Sequence, residues 1–209
     1  MSGRKFHRPA TLDQAEAEQV VGDEDPAAES EIAHTTAWAL LGEPNADFDE
    51  AAVETLKSSV RSEGVDIIAS SWARSPDFTL PGALWRIYLL WQWHQLSPEV
   101  LEVRFNEGLV ALKKQGVPRE DFPAPLDEVI KGVEGVLAGY ATRDDLGPVF
   151  SAAATAMRTM ALGVEHGADW IMEDGHVLAH TVTRRPEALL KTARELEESA
   201  HEAEIGELD

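Results

Sequence analysis

Glu-x-x-His occurs three times in this chain, at Glu31/His34, Glu173/His176 and Glu198/His201, a mild excess over chance. On a helix, residues three apart share a face, so each pair can offer a carboxylate and an imidazole to one metal ion. Di-iron bundles use two such pairs and two further glutamates. His176-x-x-x-His180 has the other one-face spacing, which makes Glu173, His176 and His180 the metal candidates, with His34 or His94 as a distant third histidine. The objections are physical. Gly175 interrupts one motif, and the other two pairs fall towards the two ends of the chain. The run His176-Val177-Leu178-Ala179-His180 also lacks the glutamate that follows the first histidine of zinc peptidases. No stoichiometric metal and no other cofactor is expected, and a metal-dependent helical enzyme is the third reading of function.

Aromatic and cationic residues gather once, between Trp72 and Trp93. The segment holds four of the six tryptophans (Trp72, Trp85, Trp91, Trp93) with Tyr88, Arg74 and Arg86. A ligand pocket could use aromatic walls and two guanidinium groups for a planar or anionic molecule. The plainer reading is a core helix, because the run from Pro81 is apolar nearly all round and such a helix belongs inside a bundle. Arg86 then has to be buried, charged and paired with a carboxylate, Asp77 or Asp66 first. Ser70 and Ser71 have no neighbouring base. Asp144-Asp145 reads as an N-cap for a helix opening at Pro148 rather than an acid/base pair. No Gly-x-Ser-x-Gly, Walker or dinucleotide motif is present.

The run Ser71-Trp72-Ala73-Arg74-Ser75-Pro76, followed by Thr79-Leu80-Pro81-Gly82-Ala83-Leu84-Trp85-Arg86-Ile87-Tyr88-Leu89-Leu90, resembles a segment of uncharacterised all-helical bacterial proteins. The likeness covers about 20 residues and, loosely, the stretch from Glu195 to Ala200. It implies a helical fold with this segment at its centre, and no activity.

The elements that must position these residues are helices. Asp25-Pro26 opens one that closes at Gly42. Asp47 and Glu50 form a capping-box pattern ahead of a stripe running to Trp72, which Gly64 is placed to split. Leu80-Pro81 opens a helix to about Leu96, and Ser97-Pro98-Glu99 caps the next, which ends at Gly116. The helix striped by Leu126, Ile130, Val133, Leu137 and Tyr140 carries Gly132, Gly135 and Gly139, a costly set that predicts a closely packed neighbouring backbone. An alanine-rich helix follows Pro148. Residues 167–183 read equally as helix or extended chain. The last helix starts at Pro186 with Leu189, Ala193, Leu196, Ala200 and Ala203, and its acidic end is expected to be solvated or fraying. No stretch combines β-branched enrichment with hairpin turns. The fold class is therefore all-α, an irregular bundle of about seven helices around a central apolar one, as a single helical domain over residues 25–209. Residues 1–24, with few large aliphatics, are expected to be a disordered tail.

Charge narrows the partners. Against 38 acidic residues the 209-residue chain has 18 basic ones, a net charge of −20. That field repels phosphate backbones, so no direct nucleic-acid contact is expected. It suits a basic protein surface or plain solubility. With no cysteine there is no thiol chemistry, and the longest apolar stretch, Leu80 to Trp93, contains Arg86 and is too short for a membrane span. No apolar run follows the basic start, as a signal peptide would require, so a cytoplasmic location is expected. The leading functional reading is a non-enzymatic, acidic helical interaction or regulatory protein. A small-ligand-binding bundle using the Trp72–Trp93 segment comes second.

Overall fold

The computed structural model describes residues 26–46, 48–164 and 186–209, and among these the chain is all-helical. The eight α-helices are α1 (Pro26–Leu40), α2 (Glu50–Glu63), α3 (Asp66–Trp72), α4 (Leu80–Leu96), α5 (Pro98–Lys114), α6 (Leu126–Leu137), α7 (Arg143–Val164) and α8 (Pro186–Ile205). A single 3-10 turn, Arg119–Asp121, lies between α5 and α6. The tail expected at 1–24, the ambiguous stretch 167–183, and the metal candidates Glu173, His176 and His180 all fall outside the described residues.

The eighth helix comes from Gly64. With φ at 96° it adopts a conformation that side-chain-bearing residues avoid, and the stripe from Glu50 to Trp72 breaks there into α2 and α3. Two start signals are also corrected. The cap of α2 is Asp49, whose carboxylate accepts from Ala52 N–H at 2.8 Å, not a box built on Asp47. Helix α7 begins at Arg143 and carries Pro148 inside it. Asp145 there accepts from both the Thr142 N–H and the Thr142 hydroxyl, each at 2.8 Å. These bonds satisfy the Thr142 N–H ahead of the helix and hold the Asp145 carboxyl below its usual range. Proline is tolerated because it falls so early in the helix.

Helix α4 packs against α1, α3, α5, α6, α7 and α8. Leu80, Ala83, Leu84, Ile87 and Leu90 on it are fully buried, in one continuous core with Leu40, Trp72, Leu101, Val133, Phe150, Met157 and Leu196. Thr79 caps it, accepting from Gly82 N–H at 3.3 Å. The Leu80 N–H, which no helical carbonyl can reach, donates to the Asp209 main-chain oxygen at 2.5 Å. The acidic end of α8 is thus tied down rather than frayed, and Leu208 is buried beside it.

Helices α7 and α8 form the most extensive pair, and α5 crosses α7 at backbone distance. A Cβ added to Gly108 would lie 1.9 Å from the Thr159 carbonyl oxygen, and one at Gly163 would lie 2.4 Å from the Arg104 carbonyl oxygen. Of the three glycines expected to meet a neighbouring backbone, Gly139 does, with an added Cβ 3.2 Å from the Leu40 carbonyl oxygen, while Gly132 and Gly135 do not. An added Cβ would meet nothing within 4 Å at Gly135 and only a Val149 methyl at 3.4 Å at Gly132.

Candidate functional site

The Trp72–Trp93 segment divides into a buried and a half-buried face. Trp72 is fully buried, and its indole N–H donates to the Thr36 hydroxyl at 3.1 Å. Trp93 is buried too, and the Arg104 guanidinium lies 5.5 Å from its ring centre. Trp85, Tyr88 and Trp91 form a file along α4, with ring centres 5.3 Å and 6.0 Å apart. At its edge the Tyr88 hydroxyl donates to Asp66 at 2.5 Å, and the Gln92 amide donates to the same carboxylate at 2.9 Å. Burial, then the Asp66 hydrogen bond and charge, push the Tyr88 phenol above its ordinary value. The hydroxyl thereby ties α4 to the start of α3.

The two arginines of the segment have different fates. Arg74 is 82% exposed and forms a two-pronged pair with Glu29 at 3.0 and 3.2 Å. Arg86 is only 15% exposed, with its Nε donating to Glu195 at 2.6 Å and an NH group to the Gly82 carbonyl at 2.8 Å. Its partner is therefore Glu195, 109 residues away, and neither Asp77 nor Asp66. Asp77 is a neighbour of the pair. Its contact with Glu195, assisted by the charges of Arg86 and Lys191, holds the Asp77 carboxyl below its usual range. Lys191, one turn earlier on α8, stands 3.3 Å from the second Glu195 oxygen. Two cations and two carboxylates thus join the start of α4 to α8, and their mutual neutralisation suits a structural joint.

Arg104 is the charged residue that sequence reasoning passed over. It is buried, and burial pushes its guanidinium down to about 9, against a smaller upward pull from Glu107. The signal was present, because Arg104 falls between Leu101 and Phe105 on the inward stripe of α5.

The two described Glu-x-x-His motifs do not converge. Glu31/His34 lies on α1, where His34 Nδ1 is 2.9 Å from the Ser30 carbonyl, while Glu198/His201 lies on α8. Among the described residues no three metal-capable side chains gather. His94 Nδ1 is buried and meets no hydrogen-bond partner there.

Among the described residues, three surface clefts are large enough for a small molecule. One of about 1060 Å³ runs between α1 and α3, with Ser30, Ile32, Ser71 and Arg74 on its walls. A second, about 430 Å³, is floored by Trp38 and closed by Arg143. That guanidinium lies 4.3 Å from the Trp38 ring centre and pairs with Glu43 through two contacts of 3.1 Å. The third, about 410 Å³, lies along α5.

The strongest surface feature is acidic. From Glu195 to Asp209 there are seven carboxylates and no lysine or arginine. Glu198, Glu204 and Glu207 are exposed, as are Asp144 and Asp145 at the start of α7. The two groups adjoin, since a Cβ at Gly147 would meet the Glu204 side chain at 3.0 Å. Of the nearby cations, Arg143 pairs with Glu43, whereas Arg158 pairs with Glu197 within the run itself. Compared with protein-family models, with curated proteins and with solved structures, the chain matches none. Among the described residues no helix is long and apolar enough to cross a membrane.

Proposed function

We propose that this chain is a non-enzymatic interaction protein of the cytoplasm. In this reading the end formed by the start of α7 and the last two turns of α8 meets a basic protein surface. The observation that carries it is the run of carboxylates from Glu198 to Glu207, exposed except for the half-buried Glu202, beside Asp144 and Asp145, with Arg143 already paired to Glu43. Like charges held together on one rigid end raise the local potential and speed encounter with an opposite patch. The joint of Arg86 with Glu195 fixes α8 against α4, so the acidic end is presented in a set orientation. The test compares wild type with a variant carrying Glu198→Gln, Glu202→Gln, Glu204→Gln and Glu207→Gln. Basic proteins retained by the wild type at low salt are lost by the variant and at high salt. Equal retention by both proteins would remove the acidic end from the function.

A further inference from the structure

Among the described residues, helix α5 leaves one face without a partner. Its inner side, Leu101, Arg104, Phe105, Gly108 and Ala111, is buried. On the outer side Val103 and Val110 are 57% and 52% exposed, one heptad apart, flanking Asn106 and Glu107. Together with Ala111 and Lys114 these residues line the open groove of about 410 Å³. Charge along this face is ordered: Glu99 and Glu102, both exposed, stand at the N-terminal end, and Lys113 and Lys114, both exposed, at the C-terminal end.

A surface with this order is complementary to itself. Turned through a two-fold axis near Asn106 and Glu107, an antiparallel second copy lays its two valines over these two valines. Glu99 and Glu102 then face the partner's Lys113 and Lys114, and the reverse holds at the other end. A parallel pairing would instead oppose acid to acid and base to base, so the charges select the antiparallel one. A two-fold contact also satisfies the closure rule that one patch meets its own copy. The strongly acidic chain as a whole repels its copies, which makes a face that carries its own pair of lysines the place where they can meet. We infer that the chain forms an antiparallel homodimer through the outer face of α5. A 17-residue helix presents a face about 25 Å long. Such an area supports a dimer with a dissociation constant on the order of micromolar rather than a permanent one.

The test is a charge exchange on full-length protein, read by sedimentation and by mass photometry of mixtures. Wild type is expected to be dimeric at tens of micromolar and to dissociate on dilution. Glu99→Lys with Glu102→Lys makes both ends of the face basic, and Lys113→Glu with Lys114→Glu makes both ends acidic. Each variant alone is expected to weaken self-association at least tenfold, while an equimolar mixture restores a dimer containing one of each. All four positions are exposed, so circular dichroism and melting temperature serve as folding controls. A wild-type chain that stays monomeric at every concentration overturns the proposal. So does a dimer that survives both charge changes, because its interface then lies elsewhere, or a mixture that forms no mixed dimer. The acidic end of α7 and α8 is untouched by these variants, so loss of basic-protein retention and loss of dimerisation are separable results.

Discussion

Glu195 is the residue on which most of the buried electrostatics turns. It is 11% exposed and meets Arg86 from α4, Lys191 from its own helix and Asp77 from the intervening loop. Removing one partner of a largely buried pair leaves the other uncompensated, so Arg86→Ala is expected to lower unfolding free energy by about 3 kcal/mol in urea. Arg74→Ala, which breaks the exposed pair with Glu29, is expected to cost no more than about 1 kcal/mol in the same measurement. Equal costs would mean that burial does not set the worth of these arginines. Asp145 gives a prediction of opposite pH character to a histidine switch. Its carboxyl is depressed by the Thr142 hydrogen bonds, so its contribution is present above the unfolded value of about 3.9 and is lost as pH falls through the lower folded value. Asp145→Ala is therefore expected to cost about 1 kcal/mol at neutral pH, as a lost cap does. That difference should shrink steadily below about pH 4 in melts followed by circular dichroism. A difference that persists there would assign the effect to packing.

At the scale of elements, glycine tells apart close packing from mere tolerance. Gly108 faces the Thr159 carbonyl across α5 and α7, where any Cβ forces the helices apart, whereas Gly135 on α6 has open space. Gly108→Ala is expected to destabilise by about 1–3 kcal/mol, and Gly135→Ala to stabilise by about 0.5–1 kcal/mol by raising helix propensity. Chemical denaturation of the two variants checks both signs, and a stabilising Gly108→Ala would contradict the crossing described. The same pair shows what was legible beforehand. Helix spans follow from local rules, and the stripes of α1, α4, α5 and α6 with the proline starts of α4 and α5 are readable from the chain. Which glycine meets a neighbouring backbone depends on how distant segments cross, and of the three that composition singles out only Gly139 does so. Likewise, burial and pairing of Arg86 follow from its apolar neighbours. Glu195 as its partner does not, because α8 reaches α4 only through the assembled bundle. Pro148 and Asp47 misled for a simpler reason, since Thr142-Asp145 and Asp49 satisfy the free N–H groups better than the more conspicuous residues.

For the whole molecule, the fold separates charge from aromatic content. The tryptophan-rich segment is spent on the core and on a file of rings held by Asp66, Gln92 and Glu134, and the acidic residues of α7 and α8 remain at one end of the surface. Recognition of a basic partner at that end is the central claim, and the four-site glutamine variant tests it most directly. Wild type and variant, matched in melting temperature, are immobilised and exposed to the same soluble extract at low and at high salt. The account predicts that wild type retains a small set of basic proteins at low salt, and that the variant retains none of them. Retention of the same proteins by both, or a retained set with no excess of basic members, would contradict it.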